Sequence, residues 1–382
     1  MSTLKVGAIR GVSASSDAIT VADDGSCTAN VTNNLSNRNL IINGSQIIDQ
    51  RNGGSAVTVP NASQTFITDR FLIFEDTDGV VSAQQSTTAP DGFTKSLKID
   101  CTTADTSLAA SQRLICETRI EGNNIANLGF GSSAAKNIIL SFYVRSNLTG
   151  TFGGVIKNSG ESRVYIFSYS ISSADTWERK SITIPGDTTG TWLTTNGTGI
   201  TINWGLALGS NWVGSAGSYG TSDKHGVTGQ LNLLSSTSNE WLLTGVQFEI
   251  DSGSGVATDF EHRSYGDEFS LCQRYFQVLG GSNGTYDSMS TGSCASSTVA
   301  YVPHRLVTTM RSTPSFTLGG SASDFRYTKG GDQTPSSLAL DQAGANMVAI
   351  RVSAASDHLG TDDAIRLFNV NTTGSLQCSA EL

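Results

Sequence analysis

Three aromatic residues stand where no strand pattern accounts for them. Trp192, Trp212 and Tyr219 lie in GDTTGTWLTTNGTG and GSNWVGSAGSYGTSDKHG, segments rich in Gly, Thr and Ser. A sugar ring presents apolar C–H faces that stack on an exposed aromatic, while its hydroxyls find Asn, Asp and Ser partners. These three residues are therefore the candidate glycan-binding set, with packing beneath long loops as the alternative. Trp177, Trp204 and Trp241 fall in strand-like runs and are expected in a core.

Other chemistry finds little support in the spacing. His225, His262, His304 and His358 are far apart, with no HxxxH or HExxH pattern to hold zinc. Glu75-Asp76 and Asp362-Asp363 are adjacent, so on a strand their side chains point to opposite faces and make no acid and base pair. Asp23-Asp24-Gly25 reads as a turn; no DxDxDG loop presents a calcium site. Gly253-Ser254-Gly255 is only a fragment of a nucleophile elbow. The expectation is a protein without catalytic residues, metal or cofactor.

Composition narrows the class. The 382 residues include 41 Gly and only 6 Pro, with 15% charged and 37% hydrophobic residues, enough apolar surface to fold. A net charge of −9 leaves no basic concentration for phosphates, which disfavours nucleic acid. The six cysteines form no CxxC pair, and buried free thiols are favoured over a Cys101–Cys116 bridge. MSTLKVGAIR lacks the apolar centre of a signal peptide, and no run approaches the roughly 20 apolar residues of a membrane span. Synthesis in a cytoplasm without membrane insertion is expected. Asn-x-Ser/Thr triplets such as Asn61-Ala-Ser arise by chance in this composition.

The elements that must position these residues are strands, giving an all-β chain. Residues 1–37 read as an arm with two short strands around Leu4–Ile9 and Ile19–Ala22, too short to make a core alone. Residues 38–265 read as one jelly-roll β-sandwich. NRNLIINGSQIIDQRNGG opens it, with Asn43-Gly44 as a turn after an apolar strand. Alternation then marks Ile138, Leu140, Phe142 and Val144, Tyr165 to Tyr169, and Ile200 to Leu208. Leu242, Val246, Phe248 and Ile250 share one parity, with Gln247 and Glu249 on a face expected to meet water. Residues 266–382 read as a second β-sandwich unit. It opens on a helix with Phe269, Cys272 and Phe276 at helical spacing and Asp267 as N-cap, and includes strands around Val348–Val352 and Ile365–Leu367.

The phrases LTGVQFEI and FEHRSYGDEFSLCQRYF resemble the "GVQLE…FEHR.YGEEL.LCQRYY" signature of tail-fibre and related virion structural proteins of tailed bacteriophages, especially marine ones. NLIINGSQ, SFYVRSNLTGTF, TWERKSITIPGD and WLLTGVQFEI together resemble the jelly rolls of carbohydrate-binding modules, and VPHRLVTTMRSTPSFTL with the closing AEL resembles the last domain of the same phage proteins. Val302-Pro303-His304-Arg305 departs from that phrase by an insertion. The resemblance implies a non-enzymatic virion component, a tail fibre or fibre-like appendage, that recognises host-surface polysaccharide. It implies a homotrimer and an arm that contacts other virion proteins. Glu261, His262, Arg263 and Tyr265, inside the shared phrase, become candidates for holding an interdomain or assembly contact. The alternatives are a capsid-surface decoration protein and a tailspike depolymerase or esterase. The absence of a fixed-period repeat counts against a parallel β-helix tailspike.

Overall fold

The computed structural model describes residues 6–12, 17–25, 27–29, 37–280, 288–371 and 373–382. The chain is nearly all β, with 44% of it in strands. Two antiparallel sheets form the larger unit. The six-stranded sheet runs in the order Glu178–Ile184, Ile138–Ser146, Glu240–Ile250, Ser96–Thr103, Val80–Ser86 and Val57–Thr58. The seven-stranded sheet runs in the order Tyr219–Gly220, Val164–Ile171, Gly150–Lys157, Thr198–Leu208, Arg113–Glu121, Phe71–Glu75 and Ser63–Thr68.

The alternating apolar residues meet between these sheets. Leu140, Phe142 and Val144 on one and Ile200, Ile202 and Trp204 on the other are fully buried in a single cluster. Phe142 stands edge-on to Trp204 at 5.6 Å and to Tyr169 at 5.1 Å. Each such side chain contributes about 1.5–3 kcal/mol through burial, so this layer dominates the stability of the unit. Trp204 and Trp241 lie in the core as expected, whereas Trp177 is only half-buried and precedes its strand.

Several expectations are corrected. In Glu240–Ile250 the parity does not run through: Gly245, at φ +61°, carries a bulge that shifts the pairing with Ile138–Ser146 by one residue. Trp241 and Leu243 face the core before it, Val246 and Phe248 after it, and Leu242 belongs to the opposite face. That opposite face does not meet water. Gln247 and Glu249 are buried beneath residues 256–261, where Glu249 accepts from Thr258 N at 2.9 Å and Gln247 accepts from Glu261 N at 2.8 Å.

The segment 38–55 holds no strand. It is buried irregular chain, whose backbone groups must find side-chain partners. The Asn43 amide reaches the carbonyls of Ile48 (2.8 Å) and Asp69 (2.9 Å). At Gly44 a Cβ would lie 2.1 Å from the Val246 carbonyl, so this glycine answers to packing rather than to a hairpin.

The helix Tyr265–Gln273 follows, capped by Ser264, not Asp267: Ser264 Oγ accepts from Asp267 N at 3.2 Å and donates to the Asp267 carboxylate at 2.6 Å. Phe276 lies beyond the helix and opens the strand Phe276–Leu279. That strand begins the smaller unit, a three-stranded sheet with Ser375–Ser379 and Ser315–Gly319 packed on a seven-stranded one. Val302, Ile350, Val352 and Leu367 fill its own cluster, while Arg351 and Arg366 point outward, as the alternation requires.

At the other end of the chain, Ala8–Ile9, Ile19–Val21 and Cys27–Ala29 pair only with one another among the described residues. The two expected strands thus have a third as partner, and Ile9 and Val12 stay exposed. Cys101, Cys116, Cys272, Cys294 and Cys378 are buried free thiols.

Candidate functional site

The outer face of the seven-stranded sheet is half covered and half open. Gly153 and Gly205 sit side by side on paired strands, and a Cβ there would lie 2.5 Å from Val227 N and 2.7 Å from the His225 carbonyl. Only glycine lets residues 209–230 lie flat against this part of the sheet. Where that covering ends, a cleft of about 260 Å³ begins. Its floor comes from the register. Lys157 pairs with Thr201, Thr201 with Arg119, and one row along Asn203 pairs with Glu117 and Glu117 with Leu72. Phe74 and Gln64 close one side; His225, Asn158 and Glu161 close the other.

Arg113 is the best-supported side chain in this cleft. Its guanidinium lies 4.7 Å from the Phe74 ring centre and 4.1 Å from that of Trp212, and it donates to His225 Nε2 at 2.6 Å. Burial pulls the His225 pKa below its ordinary value, and the nearby Lys157 and Arg113 charges add to this against the opposing pull of Asp223. A neutral imidazole accepting from Arg113 follows. Burial would raise the Asp223 carboxyl, but its contacts with His225 and with the Lys157 ammonium outweigh it and hold it at about 2. Lys157, buried, donates to Glu161 at 2.6 Å and to Asp223 at 3.0 Å. The floor carboxylate Glu117 accepts from Arg119 Nε at 2.6 Å. Binding and positioning of a polar ligand is the chemistry these groups support.

The structure separates the three expected aromatics. Trp192 is 6% exposed and is removed from the site: it packs edge-on to Phe130 at 4.9 Å and donates its indole N–H to Asp187 at 3.2 Å. Tyr219 lies 6.4 Å from Trp192, is half-buried, and donates to the Pro185 carbonyl at 3.0 Å. Burial raises the Tyr219 pKa. Trp212 alone reaches the cleft region, but Arg113 covers one face and His225 meets it at 5.1 Å, with the indole N–H on Ser111 O at 2.6 Å. The open stacking platform expected of the three is not formed; Trp212 instead holds Arg113. Spacing alone overlooked Phe74, Arg113, Glu117, Lys157 and Thr201. A signal existed in RLICETRIE, where Arg113, Glu117 and Arg119 alternate with the core residues Leu114, Cys116 and Ile120.

The shared phrase occupies a different place. Glu261 accepts from the backbone N–H groups of Asn37 and Asn39, the latter at 2.7 Å. Arg263 donates to the carbonyls of Ile41 (3.0 Å) and Asn39 and pairs with Glu268 at 3.3 Å, while Glu268 also accepts from Asn43 N. These two residues tie segment 37–43 to the helix. His262 packs its ring against Phe93 and Phe260 at 5.1 and 4.9 Å. Tyr265 is 63% exposed and stacks on Phe269 of its own helix, so among the described residues it holds no interdomain contact. Further bonds join the two units. Arg274 makes two bonds to Glu121, at 2.8 and 2.7 Å, Tyr275 donates to the same carboxylate at 2.7 Å, and Arg70 stacks on Tyr275 at 3.7 Å while pairing with Glu381.

No protein-family profile and no curated protein matches the chain. Solved structures to which it is similar include the enzymatically active domain of bacteriophage CBA120 tailspike protein 4, at 11% identity and a TM-score of 0.29, over 56% of this chain and 22% of that one. The chain therefore spans about a fifth of that tailspike structure. A carbohydrate-binding module of family 4 is similar at 12% identity and TM-score 0.27, over 55% of this chain and 98% of the module. The family 11 module of Clostridium thermocellum, solved with a β-1,3-1,4-mixed-linked tetrasaccharide, is similar at 10% identity and TM-score 0.26, over 54% and 98%. The β-sandwich assignment rests on the sheet order and register of this chain.

Proposed function

We propose that this chain is a non-enzymatic structural component of a phage virion, a tail fibre or fibre-like appendage, whose larger β-sandwich contributes to recognition of host-surface glycan. The observation that carries the glycan reading is the cleft on the seven-stranded sheet. Buried polar side chains line a depression of about 260 Å³, with aromatic rings locking its one stacked guanidinium, a surface suited to a polyhydroxylated ligand. The virion reading draws on the phrases LTGVQFEI and FEHRSYGDEFSLCQRYF, which in this fold fasten the arm-proximal segment, the sandwich and the helix together. Three copies joined through their arms would cover the exposed Ile9 and Val12. Titration of the purified chain against surface polysaccharides of candidate hosts tests this reading. Saturable binding without new reducing ends is expected; steady release of reducing ends would replace it with a depolymerase.

A further inference from the structure

Two of the cleft's cations, Lys157 and Arg119, are already paired with its carboxylates, and this sets what kind of glycan fits. Resting on the glycan reading above, we propose that the cleft accepts uncharged, hydroxyl-rich sugar residues and excludes carboxylate-bearing ones, with Glu117 as the acceptor that selects them.

Each cation near the floor is held by a partner from the protein. Lys157, 4% exposed, is bound by Glu161 at 2.6 Å and Asp223 at 3.0 Å. Arg119 is bound by Glu117 at 2.6 Å and by the main-chain oxygen of Leu382. Arg113 is clamped between two rings and fixed on His225, with Asp76 at 3.8 Å. Lys157 and Arg119 thus meet Glu117, Glu161 and Asp223 at hydrogen-bond distance and have no open charge to offer a uronate, while Arg113, bonded to the neutral His225 ring, is shielded by its two aromatic neighbours with its Nε buried. A ligand carboxylate would have to displace one of these partners and then stand beside the remaining carboxylates.

Hydroxyl groups meet the opposite situation. Glu117, 5% exposed, commits one oxygen to Arg119, and its second takes no hydrogen bond among the described residues. Thr201, also 5% exposed, lies in register between Lys157 and Arg119, and its hydroxyl has no hydrogen-bond partner among the described residues. An acceptor oxygen and a hydroxyl that both donates and accepts, side by side on adjacent strands, match neighbouring hydroxyls of a neutral sugar.

The test uses the full chain at low ionic strength and polysaccharide pairs that share a backbone, such as a β-glucan and a β-galactan, each set against its own C6-oxidised polyuronate. At least tenfold tighter binding to the uncharged member of a pair is expected. Glu161→Gln, which releases Lys157 from one carboxylate, should narrow that ratio at least threefold. Glu117→Gln should weaken binding to the neutral member about tenfold, while circular dichroism confirms the fold of both variants. Equal or tighter binding of the uronate member by the unaltered chain would overturn the charge rule and leave the glycan reading standing, as would a ratio unmoved by Glu161→Gln. Binding to neither member of any pair would overturn the glycan reading and this inference with it.

Discussion

The cleft and the junction between the two β units are built from the same parts. Both stack an arginine on aromatic rings: Arg113 lies between Phe74 and Trp212 in the cleft, and Arg51 lies 4.6 Å from Phe66 and 3.6 Å from Phe276 at the junction. They differ in what is left over. At the junction the charged groups turn inward: Arg51 and Arg70 share Glu381, Arg274 and Tyr275 share Glu121, and Arg263 joins Glu268 to the carbonyls of segment 39–41. In the cleft Lys157 and Arg119 are paired, yet a carboxylate oxygen and a hydroxyl stay open on the floor. The same chemistry, closed on itself, fastens two units; left partly unsatisfied, it makes a place for a ligand.

Substitutions should divide along that line, and the largest effect belongs to the junction. Arg70→Ala removes a buried guanidinium from Glu381, Tyr275 and the Arg119 carbonyl, leaving a carboxylate without its main partner. A loss of about 3–5 kcal/mol in urea unfolding is expected. A loss below about 1 kcal/mol would show that the junction is not the closed network described. Trp192→Ala comes next, at about 3 kcal/mol, because it empties a packed site; glycan affinity measured on the folded fraction should not change. Trp212→Ala should show the reverse balance. Its stability cost is about 1 kcal/mol, while release of the Arg113 stack lowers glycan affinity about tenfold, or roughly 1.4 kcal/mol.

The smallest effect is a pH dependence to which the cleft contributes through His225 and Asp223. His225 has its folded pKa below the ordinary value, so the unfolded chain takes up a proton first as pH falls through about 6.5. Stability should therefore be full above that pH and decline below it, until the folded imidazole also protonates. His225→Gln should remove part of this slope; the remainder belongs to His304, lowered by its own burial in the smaller unit. Asp223 acts in a lower window. Its carboxyl, near 2 in the folded chain, supports stability above about pH 4, and this support is lost between about 4 and 2. An unchanged pH profile in both His225→Gln and Asp223→Asn would place neither group in the network described.

Much of the sandwich was legible because one period of two runs through Ile138–Val144 and Ile200–Leu208 and one face is buried. Legibility failed where the backbone breaks that period. Gly245 moves the pairing by a residue, and nothing local in LLTGVQF distinguishes a bulge from a continuous strand. In residues 38–55 apolar residues mimic a strand, but the hydrogen bonds come from Asn39, Asn43 and Asp69, and some of those partners are distant in sequence. The site was read from aromatic loops because sugars stack on rings, and Trp192 lay in a loop that turned out to be packed. The floor of the cleft needs three strands in register, from residues far apart in the sequence, so its residues could be seen only as an unexplained polar parity in RLICETRIE.

The most direct test is hydrogen–deuterium exchange of the full chain, alone and saturated with the tightest-binding oligosaccharide from the neutral panel. Protection is predicted in residues 113–119, 157–161 and 198–203, with the junction segments 37–43 and 261–274 unchanged. Protection confined to those junction segments or to the smaller unit, with the strands of the cleft unaffected, would contradict the account.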